Sequence, residues 1–374
     1  MSDFNFPELT LMITGPTYIR PEIKEAAMMP EFGHRDSENK KRFESIFANL
    51  KKIAQVGDDY SAVIVNGSGS NGMESSIRSM VSDTDKLLNV SVGAFGDLYG
   101  KIAKSNGKNV ETLSFTPGQA IDLNVLEEKL KSYQPDVVSF THNETSTGVT
   151  NDVAAVCKLI YKYNALPLVD AVSIFGGAPT GIEEGKPMTY ATATQKSLAL
   201  PAGFGVVFVH KDAVKKMETV ENRGYTTDLL LALGSASKSQ ILTTPNTALA
   251  NQMAVQLDYI VNVEGVENRF ARHERMKKIT QDWFKDLPEG FSKFAQEGFE
   301  SPTVSSGLAP EGVDLKAIKE EMRELGYLFD PGYGGLNKKR LANDEQATFR
   351  IGHMGDISED MLKTYLEKLK KALV

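Results

Sequence analysis

The sequence predicts an α/β protein in which a mostly parallel sheet, flanked by helices, is followed by a small α+β unit. Three observations predict it. Short apolar runs alternate with helical patterns between about residues 60 and 210, and that rhythm implies a parallel sheet covered on both faces. At 374 residues the chain exceeds the size at which one core stops growing, so about two domains are expected. Past Asp212 the alternation gives way to long helices and then to a mixture of short strands and helices.

Composition narrows the function. Hydrophobic residues at 41% and charged residues at 24% are ordinary for a globular chain and exclude disorder. A net charge of −7 offers no basic footprint for nucleic acid. No apolar run approaches the ~18 residues of a membrane helix. Met1-Ser2-Asp3-Phe4-Asn5 lacks the basic and apolar regions of a signal peptide, so a cytosolic protein is expected. The single cysteine, Cys157, excludes an internal disulfide and a cysteine-based metal cluster. The histidines His34, His142, His210, His273 and His353 show no zinc-protease spacing, and no metal is expected. His273 is expected on the polar face of a long charged helix.

Taken in order, residues 9–15 form an approach segment ending in the turn Gly15-Pro16-Thr17. The division expected is 1–15, a large domain over 16–262 and a small one over 263–374. A helix over 21–29 leads to the polar loop Gly33-His34-Arg35-Asp36, where Arg35 is either an anion ligand or a surface residue. A helix carrying Phe43, Ile46, Phe47, Leu50 and Ile53 precedes a strand over 61–65, then Asn66-Gly67-Ser68-Gly69-Ser70-Asn71-Gly72 and a helix from Met73. Strand, glycine turn and helix make a phosphate site, because N–H groups at a helix start face an anion and the dipole favours it. Gly67, Gly69 and Gly72 also satisfy the dinucleotide pattern. The next strand, over 87–92, however, ends in Gly93-Ala94-Phe95-Gly96 with no carboxylate before Asp97, so a monophosphate fits better. Phe95 either offers a flat face to a ring or anchors its loop in the core.

Strands over 110–115 and 136–140, with a helix over 123–132 between them, and a helix over 152–163 leading to a strand over 166–170, continue the alternation. Ligands gather outside the carboxyl ends of such strands. There stand the glycine loop, Phe95, the run from Thr141 to Gly148, Asp170 and Lys196. A carboxylate closing an apolar strand wants a cation; for Asp170 that is either an arginine or the protonated ring nitrogen of pyridoxal 5′-phosphate. Lys196 lies among small and hydroxylated residues before the apolar run Val206-Val207-Phe208-Val209. It is either a solvated lysine at a strand end or a dry amine of lowered pKa, able to form a Schiff base. Lysine, carboxylate and phosphate loop together select that cofactor. Helices are expected over 213–220, 247–262, 266–287, 315–325 and 358–373, with strands near 303–304 and 349–352.

On Thr14-Gly15-Pro16-Thr17, Gly33-His34-Arg35, Gly67-Ser68-Gly69-Ser70 with Met73-Glu74, the run from His142 to Val149, Val169-Asp170-Ala171-Val172, Gln195-Lys196 and the run from Phe349 to Gly355, the chain resembles the class V, fold type I pyridoxal-phosphate aminotransferases. The likeness is to the branch of alanine:glyoxylate and serine:pyruvate enzymes, with phosphoserine aminotransferases as cousins. It implies a sheet of the seven-stranded type and a homodimer with active sites at the interface. It implies Lys196 as Schiff-base lysine, Asp170 at the ring nitrogen, and Ser68, Gly69, Ser70 and Gln195 at the phosphate. Phe95 and Val172 would then pack on the two ring faces and Thr145 lie near the phenolic oxygen. Thr243 and Gln240 would reach the phosphate from the neighbouring subunit; the family often has Tyr where Gln240 stands. Arg350 matches the arginine that holds the substrate carboxylate, while His34, Arg35 and His353 could form an anionic subsite favouring phosphoserine. The reaction implied is ping-pong transfer from a small amino acid, alanine or serine, to glyoxylate or pyruvate, with Lys196 moving the proton. Cysteine desulfuration and nicotinamide oxidoreduction are the rivals. Residues 331–346 are longer than expected for the family, as a lid would be.

Overall fold

The computed structural model describes residues 6–374; the reading of Met1 to Asn5 as lacking a signal lies outside them. Seven strands form the main sheet, in the order Tyr60–Gly67, Gly203–His210, Thr189–Ala193, Leu166–Asp170, Val137–Thr141, Lys86–Ser91 and Asn109–Ser114. All pair in parallel except Gly203–His210, which runs antiparallel to both neighbours. Only residues 194–202 separate it from Thr189–Ala193. A parallel return needs a crossover of about a dozen residues or more, so the chain turns back tightly. That turn carries Lys196.

Successive residues of each strand serve opposite faces, since the side-chain period of a strand is two. Ile64, Leu88, Val138, Val169 and Val206 pack into one core with Phe43, Leu50, Val156 and Met253. Their neighbours Val63, Leu87, Val137, Leu168 and Val207 pack into another with Met73, Ile77, Tyr99 and Met217. Both faces are covered, which explains why these strands read as continuous apolar runs.

A third core joins Met276, Trp283, Phe284, Ile318, Phe329, Phe349, Ile351 and Leu366, and Met12 belongs to it. Its sheet is antiparallel: Ser292–Lys293, Val304–Leu308 and Thr348–Gly352. The approach segment is drawn to this end of the molecule, where Thr10–Leu11 pairs with Tyr327–Leu328.

Several elements differ from expectation. The helix after the glycine loop begins at Gly69, not Met73: Asn71 Oδ1 accepts the Ser68 N–H at 2.8 Å and so caps the earlier start. Helices Leu229–Ala236 and Gly334–Ala342 were not expected, the second lying within 331–346. The helix expected over 247–262 stops at Asp258 and continues as a π-turn, Tyr259–Glu264, before the long helix Val266–Lys285. His273 is fully buried, not on a polar face. Its Nδ1 lies 2.8 Å from the Arg269 carbonyl, and its Nε2 accepts the Gly355 N–H at 3.1 Å.

Candidate active site

The carboxyl ends of the strands bring most of the singled-out residues together. Lys196, partly buried, extends from the turn after Thr189–Ala193 and donates from Nζ to the Thr14 carbonyl. Its own carbonyl accepts from Thr17 Oγ1 at 3.0 Å and from the Ala199 N–H at 2.8 Å, so the turn is held on both sides. Burial, and then the Arg350 charge, lower its pKa to about 8, against the pull of Asp330 and Asp170. Gly15 makes room for the amine: at φ +118°, a Cβ there would lie 2.6 Å from Nζ.

Asp170 closes its strand at 3% exposure. The Val172 N–H donates to it at 3.0 Å. No arginine or lysine pairs with it among the described residues, which leaves its charge uncompensated. Burial raises its pKa to about 7, the charge of Glu144 adds to the rise, and the Val172 N–H and Lys196 oppose it.

Ser68 caps the helix Gly69–Met80, with Gly69 buried beneath Val172 and Ser70 exposed. Gln195 Oε1 is buried without a partner. An unpaired carboxylate, a glycine-rich helix start, an unsatisfied amide and a lysine amine of lowered pKa fit the ring nitrogen, phosphate and aldehyde of pyridoxal phosphate.

Phe95 is partly buried in the first turn of Ala94–Ser105, 5.9 Å between ring centroids from Tyr333. That helix has a glycine at its cap. Glu144, from the run beside Thr145, caps it instead, accepting the Phe95 and Gly96 N–H groups at 3.1 and 3.0 Å. The same carboxylate takes the Ser146 N–H at 2.9 Å and its hydroxyl at 2.6 Å. Burial raises the Glu144 pKa, and these donors oppose it.

Arg350, on Thr348–Gly352, donates from Nη1 to the Thr145 carbonyl at 3.1 Å. Its Nη2 lies 3.0 Å from Asp330 Oδ2, and its Nε is buried without an acceptor. Asp330 and Glu144 had not been singled out as site residues. Asp330 carried a usable signal, because it closes the apolar run Leu328-Phe329 just as Asp170 closes Leu168-Val169.

Other expected residues lie apart from this cluster. His34 and Arg35 are exposed, with Arg35 Nε donating to His34 Nε2 at 3.2 Å. His353 is fully buried, with Nε2 2.9 Å from Ser305 Oγ, and burial lowers its pKa to about 4. Thr243 Oγ1 accepts from Asn66 Nδ2 at 2.9 Å; the Gln240 N–H donates to Ser235 O at 3.1 Å. Cys157 is buried, and burial holds its thiol well above the usual range. The described residues hold no group of three or more metal-ligating side chains and no helix long and apolar enough to cross a membrane.

Residues 23–297 match the family of class-V aminotransferases. The chain belongs to that family. This class-V aminotransferase is 31% identical to an uncharacterized aminotransferase of Methanocaldococcus jannaschii, over 97% of this chain and 92% of the relative. It is 30% identical to serine–glyoxylate aminotransferase of Hyphomicrobium methylovorum, over 97% and 89%. Its fold is that of alanine–glyoxylate aminotransferase from Nostoc sp., with a TM-score of 0.90, 24% identity and coverage of 100% and 97%. It is a transaminase of fold type I, and its cofactor is pyridoxal phosphate.

Proposed function

We propose that this aminotransferase moves the amino group of a small L-amino acid, alanine or serine, to glyoxylate or pyruvate, in the cytosol and as a homodimer. The observation that carries the reading is the chain of contacts that ties Lys196 to Arg350 through Thr14 and Asp330. The serine–glyoxylate relative supports the choice of substrates.

In this reading Asp170 would partner the ring nitrogen, Ser68, Gly69, Ser70 and Gln195 would hold the phosphate, and Phe95, Val172 and Thr145 would line the ring. When bound, pyridoxal phosphate supplies an electrophilic carbon and an electron sink. Lys196, whose lowered pKa leaves a good fraction of neutral amine near pH 8, would hold the cofactor at its aldehyde and serve as the base for the substrate's α-proton. Asp170 would be the carboxylate that keeps the ring nitrogen protonated. Arg350 orients the substrate carboxylate through its unpaired Nε, a task suited to a planar fork.

Phosphoserine as donor fits less well. It needs a second anion site, and the buried His353 is held neutral by its surroundings, while His34 and Arg35 bond to each other in an exposed loop. Gln240 and Thr243 would complete the partner's phosphate site.

The test is a half-reaction screen: the loaded protein, mixed singly with amino acids, loses its cofactor absorbance, and alanine and serine react fastest. Lys196→Ala abolishes the reaction. Full transamination by that variant would refute the assignment.

A further inference from the structure

The guanidinium of Arg350 already holds a carboxylate of its own chain. Nη2 lies 3.0 Å from Asp330 Oδ2 and 3.2 Å from Oδ1, with both residues at 8% exposure. Asp330 is fixed from two other sides: Thr14 Oγ1 donates to Oδ2 at 3.0 Å, and the Gly332 N–H donates to Oδ1 at 3.1 Å. The backbones are joined as well, the Arg350 N–H donating to the Asp330 carbonyl at 3.0 Å. Tyr333, three residues after Asp330, sets its ring 5.9 Å from Arg350 Cζ.

An arginine reserved for a substrate carboxylate is a buried, unpaired cation whenever the ligand brings no anion, and that state is costly. Here the cost is removed in advance. We propose that Asp330 is the built-in counter-ion of Arg350 and widens the donor class to primary amines that lack an α-carboxylate. Such an amine binds with the Arg350–Asp330 pair closed. A 2-oxo acid or an α-amino acid binds through the empty Nε and the shared Nη2, against the charge of Asp330. The chemistry balances as ordinary transamination: the amine R–CH2–NH2 leaves as the aldehyde R–CHO, and the 2-oxo acid leaves as its amino acid. Asp330 is thus a specificity-determining residue, and the inference rests on Arg350 as the carboxylate holder.

The charge sets the direction of each effect. A carboxylate arriving at Arg350 meets a like charge a few ångströms away; removing it favours carboxylate ligands and penalises amines, which then face an unpaired guanidinium.

The experiment compares matched donors, L-alanine with ethylamine and L-2-aminobutyrate with propylamine, in half-reactions of the loaded enzyme. In the unaltered protein each amine should react with a kcat/KM within about a hundredfold of its amino acid. In Asp330→Asn the amino acid KM should fall about tenfold and the amine kcat/KM should fall about tenfold. Acetate binding to the loaded enzyme, followed by calorimetry, should tighten in the variant. Asp330→Ser gives the same signs and serves if the asparagine protein does not fold. An unaltered enzyme that uses alanine but not ethylamine, or a variant with unchanged donor ratio and acetate affinity, overturns the proposal. If no donor reacts with any 2-oxo acid, the substrate reading fails instead, and the acetate measurement still decides the role of Asp330.

Discussion

A Cβ placed on Gly69 would lie 2.4 Å from Cγ2 of Val172. The glycine that starts the helix Gly69–Met80 and the valine two residues past Asp170 thus close on each other without room for a methyl group. Gly69→Ala pushes either the helix start or Val172 out of place. Overpacking of this kind costs about 1–3 kcal/mol. We expect a lower thermal midpoint and faster loss of cofactor on dialysis, the second followed by absorbance.

Asp170 makes the protein without cofactor sensitive to pH. Its folded pKa of about 7 stands above the unfolded value of about 3.9. The folded state therefore binds more protons between those values, and stability falls as pH rises from about 4 to about 7, then levels. Asp170→Asn removes that fall. Thermal midpoints of the two cofactor-free proteins at pH 5 and pH 8 should diverge, the variant being relatively more stable at pH 8. Parallel curves would rule this out.

Glu144 ties the Phe95 turn to the Thr145 run through four donors. In Glu144→Gln the amide nitrogen faces N–H groups that need an acceptor. Leaving buried donors unsatisfied costs about 1–3 kcal/mol each, so denaturant unfolding should move to lower concentration. The visible circular dichroism of the bound cofactor should also weaken as Phe95 loses its position.

Behind the Lys196 turn, Arg269 is fully buried and bonds to Glu264 at 2.6 Å, Asp356 at 2.9 Å and the Ser197 carbonyl at 2.7 Å. Arg269→Met strands two carboxylates that Arg20 and Arg272 only partly compensate. Removing one partner of a buried pair costs about 3–5 kcal/mol. Urea denaturation should report a loss of that order, whereas the exposed pair Lys285–Asp282 should prove nearly neutral to the same change.

The strand and helix pattern was legible where burial is two-sided or amphipathic, because the period of apolar residues is a local property. Strands at 60–67, 86–91, 137–141 and 166–170 fall within two residues of expectation. Helix Leu229–Ala236 was missed although Asp228 caps it with two backbone bonds, since its short apolar run carries little period. Helix Gly334–Ala342 opens on two glycines, which read as loop.

For the site, the sequence by itself determined which residue types stand at the strand ends: a lysine in a tight turn, a carboxylate after an apolar strand, and a glycine loop before a helix. It left open whether Asp170 met an arginine, and it put His273 on a polar helix face. Tertiary structure decided the first, placing Asp170 without an ion-pair partner among the described residues, and overturned the second by taking His273 out of solvent. It also joined Thr14 to Asp330 across 316 positions. Desolvation and pairing depend on what packs against a group, and that partner is set by the fold of distant segments, not by the residues on either side.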